Sequence, residues 1–211
     1  MHIDKNQYQK YFEEKINLNF DKLNPYFDVD SDLFSGLNRL MNENYRCLMV
    51  EAYVASITIS NHIIERLLKL ALIYENSLGE TEEIAIKAYN KFQGMAMKNT
   101  ITNCWNRKLI SNEEKNHLEK IINDVVRNGF SHASFENILG KTPTKIPMKM
   151  GDFKTQEIKD VEIDRRVMLT IAEVQLENFA KENAFEYYKY IFELIQRLEN
   201  KIKPKEDKNG L

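Results

Sequence analysis

Residues 42–75 decide the fold class, and they read NENYRCLMVEAYVASITISNHIIERLLKLALIYE. The run contains neither Gly nor Pro and is rich in Ala, Leu and Ile, so it predicts one long helix. Its β-branched residues lower the helix propensity slightly without changing this prediction. The longest stretch without a charged side chain, 52–64, is shorter than the about 20 residues that a membrane span needs. We therefore predict a helix that is buried in a protein core.

The composition of the whole chain agrees with a helical globular protein. The 211 residues are 43% hydrophobic and 29% charged, which is too apolar for a disordered chain. Seven Gly and four Pro are too few for the many turns of an all-β sandwich or barrel. We predict an all-α fold in a single domain, 1–211, with a core at about 37–202 and a flexible tail at 203–211.

The net charge and the cysteines indicate the cellular compartment and exclude some classes of partner. The formal net charge of -2 carries no global signature of a DNA-binding or membrane-binding protein. Cys47 and Cys104 form no paired motif, which is typical of reduced thiols in the cytosol. The charged N-terminus does not resemble a signal peptide. We expect a cytoplasmic protein that makes no membrane contact.

Further helices are predicted on both sides of residues 42–75. Apolar spacing indicates a helix over 4–20, a second begins at Thr81 and runs to about Lys98, and a short one surrounds Trp105. Ser111 and Glu114 have the spacing of a capping box. The helix that they open carries one apolar stripe at Leu118, Ile121, Ile122, Val125 and Val126.

The C-terminal third contains two segments that leave alternatives open. Gly and Pro cluster between 139 and 151, and Ile146, Met148 and Met150 alternate, which predicts a small β-hairpin or loop insertion around 141–160 that turns at Gly151-Asp152. Its lysines serve solubility or form a basic flap beside a phosphate-bearing ligand. The run 164–202 lacks Gly and Pro, and as one helix it would be roughly 57 Å long. Either it breaks near 181–183 or its end packs on a second copy.

The stretch 125–133, VVRNGFSHA, carries the chemistry. Arg127 lies about 180° round the helix from Leu118, opposite the apolar stripe, and His132 lies about 140° from Arg127 on a straight helix. Gly129 provides a bend that brings the two side chains together. Arg binds phosphate oxygens with two parallel hydrogen bonds, and His exchanges a proton near neutral pH. The alternative is an Arg that complements the helix dipole, an Asn-Gly helix stop and a surface His.

Arg127-Asn128-x-x-x-His132 resembles the R-x4-6-H signature of the HEPN superfamily, in the form with Asn directly after Arg. The order of long apolar helices before the motif is also similar, so the resemblance implies a HEPN-like helical bundle over about 37–132. Many HEPN proteins are metal-independent ribonucleases of toxin–antitoxin and phage-defence systems. Their domains pair, so that Arg and His of two copies line one cleft.

The resemblance implies a role for each residue of the motif. His132 would move protons at the ribose 2′-hydroxyl and the leaving oxygen, and Arg127 would hold the scissile phosphate. Asn128 and Ser131 would bind or orient the substrate. Some HEPN toxins carry Tyr two residues after the His, and Ser134 at that position argues against the subgroup whose Tyr is modified by a partner nucleotidyltransferase.

A polar stripe on the long helix adds a further candidate. Glu51, Asn61, His62, Glu65 and Lys69 fall within about 60° of Thr58 on a helical wheel. The stripe is either a solvated face or the wall of the cleft. HEPN folds often place an acidic residue on an early helix near the motif Arg, so the resemblance favours Glu65 as the residue that orients Arg127, with Glu51 as the second choice.

Two functions follow from this reading. The first is a dimeric endoribonuclease that needs no metal or cofactor and is inhibited by an antitoxin protein. It leaves 2′,3′-cyclic phosphate ends on RNA and does not cleave DNA. The second is a non-catalytic HEPN-like module that binds a nucleotide, an RNA or a partner protein.

Overall fold

The computed structural model describes residues 4–28, 31–120, 145–151, 158–164 and 169–203. Within these ranges the fold is all-α, as predicted, with seven helices and one added hairpin of two strands. The helices are α1 (Lys5–Leu23), α2 (Asn38–Met49), α3 (Tyr53–Ser77), α4 (Glu82–Phe92), α5 (Met97–Asn106), α6 (Asn112–His117) and α7 (Leu169–Ile202), and the strands are β1 (Lys145–Gly151) and β2 (Ile158–Asp164).

The single helix predicted over 42–75 is wrong, because the chain reverses direction between α2 and α3. The amide of Ala52 donates to the Cys47 carbonyl at 2.8 Å, and the amide of Glu51 donates to the Leu48 carbonyl at 3.1 Å. These two bonds form a Schellman ending, with Glu51 in the left-handed region at φ 62°. Gly is the usual residue at that position, and its absence hides the break from sequence analysis.

Helix α3 is the centre of the fold and packs against α2, α4, α5 and α7. Its side chains of Ile57, Leu67, Leu68 and Ala71 are fully buried. Burying each of the larger ones stabilises the fold by about 1.5–3 kcal/mol relative to exposure. Asn44 of α2 adds a polar contact, because its amide donates to Ser60 at 2.7 Å and its oxygen accepts from Ser56 at 2.5 Å.

Helix α7 is continuous across 181–183, which excludes a break there, the first of the two alternatives that the sequence left open. Its 34 residues span about 51 Å at 1.5 Å per residue. It runs in the same direction as α3: Lys181 lies beside the start of α3, Tyr187 bonds Asn61, and Glu199 reaches the chain just before α2. The first two turns of α7 therefore extend past the start of α3, and Val174 there is 51% exposed.

Helix α1 extends beyond the bundle in the same way. Its second half contacts α2, where the side-chain amide of Asn19 donates to the Met49 carbonyl at 3.2 Å. Its first half leaves Tyr8 and Tyr11 exposed, with both rings packed edge-on to Phe12. Asp4 caps this helix through a capping box with Gln7, which confirms the predicted N-terminal helix.

The remaining helices correct two boundaries. The helix predicted from Thr81 to Lys98 ends at Phe92, and α5 begins at Met97 and contains Trp105, as predicted.

Strands β1 and β2 pair antiparallel from Lys145↔Asp164 to Gly151↔Ile158. The hairpin is thus confirmed, but the two-residue turn at Gly151-Asp152 is wrong, because residues 152–157 separate the strands. Within the described ranges no helix is both long and apolar enough to cross a bilayer.

Candidate functional site

The predicted catalytic residues Arg127 and His132, together with Asn128 and Ser131, lie outside the described residues. The same holds for Ser134. The structure therefore describes the frame that leads into this motif, and one member of the predicted site, Glu65.

The start of α6, the last described helix before the motif, is defined by the predicted capping box. The Ser111 hydroxyl accepts from the Glu114 amide at 3.2 Å, and the Glu114 carboxylate accepts from the Ser111 amide at 2.7 Å. These two bonds satisfy donors that the first turn of a helix leaves free. Leu118, the first residue of the predicted apolar stripe, is fully buried, as expected. The helix that precedes the motif is thus capped at its start, and Leu118 just after it is buried in the core.

Helix α6 is held on α7 by charged and aromatic contacts. Arg197 of α7 forms a salt bridge with Glu114 and also donates to the Leu109 carbonyl at 3.3 Å. One turn further along α6, the His117 ring lies 4.9 Å from the Tyr190 ring, centroid to centroid. Glu114 therefore caps α6 and also forms a salt bridge with α7. This contact attaches α6, which precedes the motif, to the longest described helix.

Two groups beside this contact have altered acidities. Burial against Tyr190 lowers the pKa of His117, although part of its side chain keeps contact with solvent. Burial, followed by the nearby Glu114 charge, raises the pKa of the Tyr190 phenol. The Tyr190 hydroxyl is buried and has no hydrogen-bond partner within the described part of the chain.

Glu65 lies on α3, one turn after Asn61. Its carboxylate accepts from Lys69 at 2.9 Å, one turn along the helix, and both side chains are about three-quarters buried or more. The contact that we predicted between Glu65 and Arg127 involves a residue outside the described ranges, and it stays a prediction.

The predicted polar stripe of α3 divides between core and solvent. Asn61 is 5% exposed and accepts from the Tyr187 hydroxyl at 3.0 Å, whereas Thr58 and His62 are exposed. Glu51 does not belong to this helix at all, so its place on the wheel is wrong. It forms an ion pair with Lys15 of α1, and this hydrogen bond lowers the pKa of Glu51.

Glu51 borders an open groove of about 570 Å³ at the start of α3. The groove runs between α3 and the early part of α7, and its polar lining includes Glu51, Tyr53, Glu177, Asn178 and Lys181.

A second cleft, of about 630 Å³, lies where α5, α6 and α7 meet, and we call it the Trp105 cleft. Trp105 is 37% exposed, and its indole N–H donates to the side-chain oxygen Oδ1 of Asn112. The Lys115 ammonium lies 4.1 Å from the centre of the indole ring. The cleft is lined by Trp105, Lys108, Ser111, Asn112, Arg197 and Lys201, with Ile110, Glu113 and Glu114.

Lys108 has an unusual backbone for a residue at the edge of a cleft. It sits at φ 60° in a second Schellman ending, where the Leu109 amide donates to the Cys104 carbonyl at 2.9 Å. A non-Gly residue in this region costs roughly 1–2 kcal/mol. The turn sends the chain from α5 directly into the cap of α6, and the Lys108 side chain lies in the cleft wall.

Neither metal-ligand clusters among the described residues nor comparisons with known proteins assign a function to this chain. Among the described residues, no three His, Cys, Asp or Glu side chains lie close enough together to hold a metal ion. Comparisons with protein-family models, with curated proteins and with solved structures give no match to this chain.

Sequence analysis missed the Trp105 cleft. A signal was present, because the only tryptophan of the chain is followed closely by Arg107 and Lys108, and aromatic and basic residues together are typical of nucleic-acid sites. The contribution of Arg197 and Lys201 could not be read from sequence, since they come from a helix about 90 residues later and meet the cleft only in the folded chain.

Proposed function

We propose that this chain is a metal-independent endoribonuclease of the HEPN type that cleaves RNA with Arg127 and His132. The observation that carries the proposal is the motif Arg127-Asn128-x-x-x-His132, which follows a capped helix in the order typical of that superfamily. The firm attachment of α6 to α7 supports it, because catalytic groups act best from a rigid frame.

The proposed chemistry is an in-line transfer within the RNA strand. His132, as a neutral imidazole, takes the proton of the ribose 2′-hydroxyl, and the 2′-oxygen attacks phosphorus. The bond to the 5′-oxygen of the next nucleotide breaks, and this oxygen takes up a proton from an imidazolium. The products are a 2′,3′-cyclic phosphate and a free 5′-hydroxyl, and DNA has no 2′-hydroxyl to react.

Arg127 would supply the electrostatic part of catalysis. Its guanidinium remains charged at all working pH values and matches two phosphate oxygens at once. Developing charge on those oxygens in the transition state would be stabilised, an effect worth about 2.7–4 kcal/mol for one donor in comparable sites. Asn128 and Ser131 would orient the phosphate or His132, and Glu65 would orient Arg127.

The proposal includes a second copy and a cellular role. In a HEPN pair the motifs of two chains line one cleft, so we propose a homodimer, with an antitoxin protein that restrains a toxin or phage-defence effector. Light scattering at tens of micromolar tests the dimer, and a monomeric mass would contradict the shared cleft.

The activity is tested with purified protein and RNA in EDTA, beside Arg127→Ala and His132→Ala. We expect the wild type to cleave and each variant to lose at least about a hundredfold in rate. Arg39→Ala is the matched control, because this arginine is exposed on α2, and the variant should cleave like the wild type. Equal cleavage by all four proteins would indicate a contaminating nuclease.

A non-catalytic binding module is the second candidate. The Trp105 cleft favours it, because an exposed tryptophan beside basic side chains can bind a ligand without any chemical step. If RNA, nucleotide or a partner protein binds with similar affinity to wild type and His132→Ala while tRNA, mRNA and rRNA all stay intact, the module is the better description.

A further inference from the structure

We propose that the Trp105 cleft is a docking site for single-stranded RNA. The inference rests on the proposed function for its substrate class, but it is argued from the described residues of the cleft. It assigns to α5, α6 and α7 the task of holding a nucleotide of the strand.

Trp105 provides the stacking surface. Its indole is anchored through Asn112 and by the Lys115 ammonium over one face, and 37% of the residue still remains exposed. A stacked base needs only one face of the ring, so Lys115 and a base can share it. Base–aromatic stacking is worth about 1–3 kcal/mol per base and tolerates any base. A duplex keeps its bases stacked on each other, so the cleft favours an unpaired strand.

Basic side chains around the indole provide contacts for the phosphates. Lys108 and Lys201 are both exposed in the cleft wall, and within the described part of the chain neither forms a salt bridge. Arg197 is neutralised by Glu114, and Lys115 lies beside the ring. Among the described lining residues Glu113 is the remaining acidic one, so these residues carry a local excess of positive charge although the whole chain is slightly acidic.

The size of the cleft fits one part of a longer strand. Its volume of about 630 Å³ falls in the range of about 300–1,000 Å³ that is typical of sites for small ligands.

The chain carries its own probe for this inference, because Trp105 is its only tryptophan. The experiment titrates His132→Ala, which would not consume the RNA, with an unstructured oligoribonucleotide of about 15 nucleotides. We expect saturable quenching of the tryptophan fluorescence. In the Lys201→Ala form of this protein, the affinity should fall about three- to tenfold, and the slope of log affinity against log salt should fall by about one.

Lys108→Gly separates binding from folding. Gly adopts φ 60° without strain, so this variant should unfold no more readily than the wild type and still bind RNA about three- to tenfold more weakly. Lys10→Ala, which removes an exposed lysine of α1, is the matched control and should bind like the parent protein.

The outcomes distinguish this inference from the proposed function. If wild type cleaves RNA but the fluorescence of Trp105 does not change and Lys108→Gly and Lys201→Ala bind normally, the cleft proposal is overturned and the ribonuclease proposal stands. If the fluorescence is quenched with the expected loss in both lysine variants but no RNA is cut, the cleft proposal is supported and the catalytic proposal fails.

Discussion

Tyr187 of α7 and Asn61 of α3 form a buried hydrogen bond of 3.0 Å that joins the two longest helices. Both residues are less than a tenth exposed, at 7% and 5%. The Asn61 amide nitrogen is also buried and has no hydrogen-bond partner among the described residues. The phenol therefore supplies a partner that the Asn61 side-chain oxygen needs inside the bundle.

Tyr187→Phe tests the energetic weight of this bond. Removal of the hydroxyl leaves the Asn61 oxygen buried without its donor, and we expect the free energy of unfolding to fall by about 1–3 kcal/mol. Urea denaturation followed by circular dichroism measures the change. Tyr89→Phe, which removes a hydroxyl from an exposed side chain of α4, should change the stability by less than about 0.5 kcal/mol. Equal effects of both variants would contradict the role of the buried bond.

Alkaline pH should unfold the protein because α7 buries three tyrosines. Burial raises the pKa of Tyr187, Tyr188 and Tyr190. The unfolded chain loses these protons near pH 10, while the folded chain keeps them to a higher pH. Their stabilising contribution is thus complete below about pH 10 and is lost as the pH rises through the folded pKa values. In an absorbance titration at the phenolate band, part of the tyrosine signal should appear only together with the loss of helical circular dichroism.

Cys104 should be inert in the folded protein. Its thiol is fully buried against α3, donates to the Leu68 carbonyl at 3.6 Å, and burial raises its pKa to about 12. The thiolate is the reactive form, so a disulfide reagent at pH 8 should label Cys47, which is partly exposed, well before Cys104. Cys47→Ser provides the control, because it should leave a protein that reacts only at the rate of unfolding. Rapid labelling of that variant would contradict the buried position.

Acid stability should depend on Glu199. Burial opposes the ionisation of this carboxylate, but hydrogen bonds from Lys203, Ser31 and the amides of Leu33 and Asp32 outweigh it and lower its pKa. The stabilising contribution is therefore present above the unfolded value of about 4.3 and is lost as the pH falls through the lower folded value.

Glu199→Gln should be less stable than the wild type at pH 7 and show a flatter loss of stability below about pH 4. Thermal unfolding at several pH values measures both effects. Glu193→Gln, an exposed carboxylate on the same helix, is the control and should follow the wild-type pH profile. A parallel profile for Glu199→Gln would show that this carboxylate does not govern acid stability.

The two N-caps Ser111 and Thr81 should differ in their response to Ala. Ser111 accepts from the Glu114 amide, whereas the Thr81 side chain makes no capping bond to α4. Ser111→Ala should therefore cost about 0.5–2 kcal/mol of unfolding free energy, and Thr81→Ala clearly less. Chemical denaturation of both variants measures the difference, and equal costs would mean that the capping bond contributes nothing.

Much of the helical fold could be predicted from local patterns. The scarcity of Gly and Pro, the apolar spacing and the Ser111–Glu114 box depend on neighbours within one or two turns, and these features identified most helices. The break at Glu51 escaped because its cause is not local. A charged residue takes the left-handed conformation there since the contacts of α2 with α3, among them the Asn44 hydrogen bonds, outweigh its cost.

The sequence by itself determined the all-α class and the capped start of α6, and it is the source of the hypothesis on Arg127 and His132. Three features were decided by the tertiary structure alone. Helix α7 runs unbroken beside α3, Asn61 of the predicted polar stripe is buried and bonds Tyr187, and Trp105 lines the same cleft as Lys201. The physical reason is that helix formation depends on hydrogen bonds between near neighbours. The pairing of polar groups from different helices depends instead on how segments that are distant in the chain pack. A polar group that this packing buries needs a hydrogen-bond partner from the neighbouring helix.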